Sequence, residues 1–172
     1  MAGCSASATN AENEAADPLA IFSRADLSFS ERVRAAELSC RNDPKIVQCS
    51  TNLLDRADKY VAEELRNAVR DARKIDERGA ADCDDSMRQS GRGCDGVGEN
   101  ALVGHLQASQ HAWTEYRETQ CDSESLRQRG GYGAHFLWNI CASRIAATRG
   151  EEIVSMMKQY RQDYGLASES KQ

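Results

Sequence analysis

The stretch Gln110-His-Ala-Trp-Thr-Glu-Tyr-Arg-Glu-Thr-Gln-Cys121 decides the fold that we predict for this chain. Its polar and apolar residues predict an amphipathic helix that ends at a cysteine. A glycine-rich turn follows at 130–133, and Cys141 lies twenty residues after Cys121, in the first turns of the next predicted helix. A disulfide between these cysteines would clamp the two helices into a hairpin. The mature protein would then reside where thiols oxidise.

The composition favours helices and a small apolar core. The chain has 172 residues, two of them proline, and 6% aromatic residues, while alanine, glutamate, arginine and glutamine are abundant. Straight-chain residues lose little rotamer freedom in a helix. With 28% charged residues, the chain can bury only a small apolar core. Small exported domains with such a core usually depend on disulfides for stability. We therefore predict an all-α antiparallel helical bundle stapled by three local disulfides.

Apolar periodicity and start signals predict four helices. The first begins near 29–31, and Asn42-Asp43-Pro44 is a start signal for the next segment. The second runs over about 52–77 and would end at Gly79. The third covers about 99–121, and the fourth follows the glycine turn, with a bend expected at Gly150.

Six of the seven cysteines form three couples that are close in sequence. Each couple brackets a predicted turn or helix junction, which predicts Cys40–Cys49, Cys83–Cys94 and Cys121–Cys141 as disulfides. Each bond would contribute about 3 kcal/mol in the chain-entropy model. The alternative to disulfides is that the cysteines bind zinc, but no Cys-x-x-Cys pair and no suitably spaced Cys/His set occurs.

The seventh cysteine lies near the start of the chain. Ala2-Gly3-Cys4 matches the last three positions of a bacterial lipoprotein signal, which predicts lipidation of Cys4. The alternative is an accidental cysteine in a flexible tail. We expect a tether over 1–17, a helical domain over 18–165 and a disordered tail over 166–172. No apolar run could cross a membrane, so attachment would be through acyl chains alone.

Charge and chemistry exclude several function classes. The net charge is −5 without a clustered basic patch, which argues against nucleic acid and mildly favours a basic protein partner. No catalytic arrangement stands out, so we expect neither an enzyme nor a cofactor. A glycine-rich insert gathers acidic residues beside two arginines. Calcium there is conceivable, but a solvated acidic loop is favoured (Asp82, Asp84, Asp85, Asp95 and Glu99).

Two features of the predicted helices concern their packing. Trp113 lies in a seam with Leu102, Leu106, Tyr116 and others, and a tryptophan in such a seam is usually a core anchor. Asp58 and Arg117 lie at the edges of apolar faces, where a charge is tolerated when it is paired. We therefore predict an Asp58–Arg117 ion pair that fixes helix register.

The segment between Cys121 and Cys141 carries the candidate binding residues. Arg127, Arg129, Tyr132 and His135 are residue types that are frequent in binding hot spots. A disulfide at the base of the segment would lower the ordering cost of binding. The alternative is an ordinary helix–helix turn whose tyrosine packs back on the bundle, and the sequence leaves both interpretations open.

These residues resemble the LprI-like lysozyme inhibitor family of bacterial envelope proteins, over roughly Cys40 to Tyr160. The most specific part is Gln110-x-x-Trp-x-x-Tyr-Arg-x-x-x-Cys121. The Cys40/Cys49 couple, the helix from 58 to 65, Gly130-Gly131, Cys141 and Arg149 also match. The insert around 82–98 and the segment before Cys40 are longer than is usual in the family.

The resemblance implies a periplasmic or surface lipoprotein that binds lysozyme and inhibits it without turnover. Inhibition would mean occluding a cleft built around two catalytic carboxylates. The family pattern does not itself assign the contact to Arg127, Arg129, Tyr132 and His135. The alternative function is a periplasmic helical adaptor or immunity module that binds another cell-wall-directed protein.

Overall fold

A computed structural model of the chain describes residues 17–82 and 101–166. Four α-helices dominate this part: α1 (Phe29–Arg41), α2 (Ile46–Asp82), α3 (Ala101–Ser125) and α4 (Gly131–Asp163). Two short 3₁₀ helices, Ala20–Ser23 and Leu126–Gln128, complete it. The all-α prediction is therefore confirmed for the described residues.

Helices α2 and α4 form a central pair that runs in parallel. Asn139 contacts Ser50 near the start of both helices, and Arg161 contacts Asp71 much further along. Helix α3 runs antiparallel to this pair, and so does α1. Helices α1 and α3 lie on opposite sides of the pair, because each contacts both central helices and the described residues give no contact between α1 and α3. Successive helices are thus antiparallel, as predicted.

Small residues allow α2 and α4 to approach closely. Ala57 and Ala146 are fully buried between them. Gly150 faces Tyr60, and a Cβ atom at position 150 would lie 2.3 Å from Tyr60 Cε1. Helix α4 continues without a break through Gly150 to Asp163, and the bend expected at this glycine stays a prediction. The residue is glycine to make room for a tyrosine ring.

An apolar cluster fills the space between α1 and the central pair. Its members include Val33, Leu53, Phe136 and Ile140, together with the Cys40–Cys49 disulfide. Helix α1 begins at the predicted residue, and a capping box at its start is formed by Ser28 and Glu31. The carboxylate of Glu151 on α4 accepts two further bonds from Ser30, at 2.8 and 2.7 Å, and so fixes α1 to α4.

Helix α2 is longer at both ends than the sequence predicts. It starts at Ile46 and passes through Gly79 to Asp82, so the expected stop at Gly79 is wrong. Glycine costs a helix only about 1 kcal/mol, and tertiary contacts offset that cost. Ile75 packs against the start of α3. Buried Asp76 accepts bonds from the backbone N–H groups of Leu102 and Val103, which caps α3.

Two of the three predicted disulfides are present among the described residues. Both Cys40–Cys49 and Cys121–Cys141 have Cα atoms 5.5 Å apart. The predicted Cys83–Cys94 bond, Cys4 and all but the first residue of the acidic cluster lie outside the described residues. None of the helices in the described part has an apolar stretch that could cross a membrane.

Candidate interaction surface

The turn between α3 and α4 is built from residues with left-handed backbone conformations. The short 3₁₀ helix Leu126–Gln128 follows α3 directly. Arg129, Gly130 and Gly131 then have φ values of 47°, 99° and 76°. Glycine adopts such values freely, so the Gly130-Gly131 pair lets the chain reverse within a few residues. The sequence prediction of a tight helix–helix turn is confirmed here.

Three contacts hold the base of this turn. The Cys121–Cys141 disulfide is buried. Trp138 on α4 donates from Nε1 to the Asp122 carboxylate on α3 at 2.9 Å. The Arg144 guanidinium reaches Glu124 Oε2 at 3.0 Å. One covalent bond and two polar bonds therefore join the helices on either side of the turn, which limits how far the turn can move relative to the bundle.

The four predicted binding residues lie on this turn or directly after it, and all are exposed. Tyr132 is 83% exposed, so the alternative in which its ring packs back on the bundle is wrong. Arg127 keeps two contacts with Glu124, a hydrogen bond from Nε to the backbone carbonyl at 3.3 Å and an ion pair at 3.6 Å. Arg129 and His135 complete the set of side chains directed to solvent.

An exposed leucine extends this surface. Leu126 is 71% exposed at the start of the turn, and it was not among the predicted binding residues. Its apolar side chain, directly after the apolar seam of α3, was the only feature of the sequence that could have identified it. Next to the turn, a groove of about 470 Å³ is lined by Gly130, His135, Trp138 and their neighbours. We call Leu126, Arg127, Arg129, Tyr132 and His135 the turn surface.

The ion pair predicted between α2 and α3 is present. Arg117 Nη1 donates to Asp58 Oδ1 at 2.5 Å, and the guanidinium lies 4.8 Å from the centre of the Trp113 ring. The Arg117 side chain is 15% exposed and that of Asp58 is 45% exposed. Arg117 Nε is buried without a hydrogen-bond partner among the described residues. Its role in fixing helix register stays a prediction.

The seam predicted for α3 is only partly buried. Leu106 is in the core, but Trp113 is only half-buried, and Tyr116 is 57% exposed. Trp113 packs against Ala57, Val61 and Ala146 with part of its surface. Its position as a full core anchor is therefore corrected: the central helices cover one side of α3, and the face with Tyr116 remains open to solvent.

The described residues contain no group of three or more His, Cys, Asp or Glu side chains that could hold a metal ion. The turn surface presents guanidinium, phenol and imidazole groups to solvent.

The fold and this surface define a disulfide-bonded helical domain with an exposed turn between its last two helices. The family described as Lysozyme inhibitor LprI matches residues 35–153, which is most of the chain. The chain therefore belongs to the LprI lysozyme inhibitor family. No curated protein and no solved structure matches it. The match includes both observed disulfides, the Asp58–Arg117 pair and the whole turn surface.

Proposed function

We propose that this protein binds lysozyme one-to-one and inhibits it by inserting the turn surface into the active-site cleft. Membership of a lysozyme inhibitor family is the observation that carries the proposal. The exposed, braced turn is the second support, because a rigid surface loses little conformational entropy when it binds.

The chemistry of the turn surface complements the proposed target. Glycoside hydrolases of this kind carry two carboxyl groups in an open cleft. Arg127 and Arg129 offer guanidinium groups, which form short, charge-assisted hydrogen bonds with carboxylates. Tyr132 adds a flat ring and a hydroxyl group. The net charge of −5 would in addition attract a basic lysozyme from a distance.

We further propose that the protein is held at the bacterial envelope through a lipid on Cys4. The sequence Ala2-Gly3-Cys4 supports this, and residues 5–17 are rich in alanine, serine, asparagine and glutamate with no larger apolar side chain. The intervening residues would act as a tether between the membrane surface and the inhibitor domain. Mass spectrometry of the mature protein purified from membranes would show an acylated Cys4.

Inhibition is tested by titrating the purified protein into lysozyme and following lysis of cell-wall substrate. We expect lysis to fall linearly and to stop near one equivalent. Replacing Arg127, Arg129, Tyr132 and His135 together by alanine should weaken inhibition at least about 100-fold, since hot-spot residues contribute on the order of 2 kcal/mol each.

A matched control removes the same residue types from elsewhere on the surface. Arg66, Arg73, His105 and Tyr164 are exposed and lie away from the turn, and their replacement by alanine should leave inhibition unchanged. Full inhibition by the turn variant would show that the interface lies outside the turn surface. Failure of the unmodified protein to inhibit any lysozyme would reject the function and favour the alternative, an envelope adaptor or immunity module.

A further inference from the structure

A second groove lies between α3 and α4, outside the turn surface. It has a volume of about 430 Å³, within the range of small-ligand sites. Its lining includes Trp113 and Tyr116 from α3 and Arg144, Thr148 and Arg149 from α4. We propose that this α3–α4 groove binds a neutral oligosaccharide.

The aromatic residues supply the flat apolar part of the groove. Trp113 and Tyr116 are three residues apart and therefore neighbours on one helix face. Tyr116 is 57% exposed. Trp113 packs with part of its surface against Ala57, Val61 and Ala146, and the Arg117 guanidinium lies 4.8 Å from its ring centre. Sugar rings with equatorial substituents present flat C–H faces, and such faces pack on aromatic rings of this kind.

The charged residues of the groove are already paired. Arg144 contacts Glu124 at 3.0 Å, and Arg149 contacts Glu152 at 3.5 Å. Two guanidinium and two carboxylate groups leave the lining without net charge, which disfavours an anionic ligand. A sugar hydroxyl can accept a hydrogen bond from the guanidinium and donate one to the carboxylate of the same pair.

The groove is also held in place before any ligand binds. Arg149 is 13% exposed, and its guanidinium donates to Ser109 Oγ at 2.6 Å and to Gln110 Oε1 at 3.5 Å. These bonds tie α4 to α3 at one end of the aromatic pair, and Arg144–Glu124 ties them at the other. A preformed site has little ordering cost on binding.

The test uses the full chain without lysozyme and follows its two tryptophan indole N–H signals by NMR. The probes are β-1,4-linked tetrasaccharides of N-acetylglucosamine and of glucose. We expect at least one of them to give a saturable shift of the Trp113 signal. Trp138 does not line this groove, so its signal should stay in place and serve as an internal control.

Two variants sharpen the test. Tyr116→Ala should weaken oligosaccharide binding at least tenfold, and Arg144→Gln several-fold. Tyr132→Ala, which removes an even more exposed tyrosine from the turn surface, should leave oligosaccharide binding unchanged. No saturable shift at millimolar probe concentration would overturn the proposal, as would binding of an acidic peptide in place of both sugars.

The lysozyme titration is run separately on the same variants, so the two proposals can fail independently. Tyr116→Ala should inhibit lysozyme as well as the unmodified protein does. If Tyr116→Ala instead loses inhibition and the unmodified protein binds no sugar, the groove is part of the protein interface and the oligosaccharide proposal is wrong.

Discussion

Helices α1 and α3 flank the same central pair, and the two sides are held by different interactions. Helix α1 has 13 residues, and its contact with α2 and α4 is mainly an apolar cluster, with the Ser30–Glu151 bonds at its start. Helix α3 has 25 residues, of which only Val103, Leu106 and Cys121 are buried. Its remaining attachments to α2 and α4 are largely polar, such as Asp58–Arg117 and Arg149 with Ser109.

The difference separates stability from recognition. Apolar burial contributes most to folding free energy, so the α1 side is expected to carry much of the stability. Polar contacts hold α3 at defined points and leave aromatic and charged side chains exposed between them. Both surfaces that we propose for binding, the turn surface and the α3–α4 groove, lie on the α3 side.

Breaking one disulfide on each side gives the largest expected effects. Replacing Cys121 and Cys141 by alanine should lower the free energy of unfolding by about 3 kcal/mol and weaken lysozyme inhibition at least about tenfold. Replacing Cys40 and Cys49 should cost about the same stability, since both bonds close short loops. Its effect on inhibition by the folded protein should be small.

Urea denaturation and the lysis titration, run below the unfolding temperature of both variants, measure these effects. Equal loss of inhibition in the two variants would contradict the separation of stability from recognition. Retained inhibition without Cys121–Cys141 would show that Trp138–Asp122 and Arg144–Glu124 hold the turn by themselves.

Two glycine substitutions test the packing of the sides directly. Gly150→Ala places a methyl group against the Tyr60 ring, which is stacked on Phe29 of α1 at 4.0 Å. We expect a loss of about 2 kcal/mol, as for other overpacked sites. Gly104→Ala on α3 meets no atom within 4 Å and should gain up to about 1 kcal/mol from helix propensity. Thermal unfolding of both variants checks this, and a stable Gly150→Ala would show that the α1 side can rearrange.

The sequence predicted what depends on local pattern. The helices, the tight turn, and the Cys40–Cys49 and Cys121–Cys141 bonds follow from periodicity and spacing along the chain. The Asp58–Arg117 contact was also found, because a charge at the edge of an apolar face needs a partner.

What the sequence did not predict depends on which helices become neighbours. Gly150 has the local signature of a bend, and only the parallel arrangement of α2 and α4 shows that it accommodates Tyr60. Gly79 has the signature of a helix end, but contacts of Ile75 and Asp76 with α3 outweigh its propensity. The exposure of Tyr116 depends on how much of α3 is covered by α2 and α4. The apolar spacing along α3 does not predict this.

The ion pair on the α3 side should make a smaller contribution. Arg117→Met keeps most of the apolar stem and removes the charge, and we expect a loss of about 1 kcal/mol because Asp58 is 45% exposed and therefore screened. A double-mutant cycle with Asp58→Asn isolates the pair. Its coupling energy should shrink in high salt. Unchanged thermal stability of Arg117→Met would refute a role for the pair in fixing helix register.

The smallest expected effect is a pH dependence on the α1 side, at Tyr60. Burial raises the pKa of the Tyr60 phenol, and the nearby Glu64 and Glu151 carboxylates raise it further. The folded protein then holds this proton more tightly than the unfolded chain does. The resulting stability is complete below the unfolded pKa of about 10 and is lost as the pH rises through the folded pKa.

Tyr60→Phe keeps the stacked ring and removes the titrating group. Its stability should therefore fall less steeply than that of the unmodified protein above about pH 10, as measured by urea denaturation across this range. Tyr132→Phe, at an exposed position, is the control and should follow the unmodified protein. Coincident slopes for Tyr60→Phe and the unmodified protein would mean that the folded structure does not favour the protonated phenol. A less steep fall for Tyr60→Phe would show that the α1 side is sensitive to alkaline pH, because it buries a phenol. The α3 side is sensitive to salt instead, because it depends on a half-exposed ion pair.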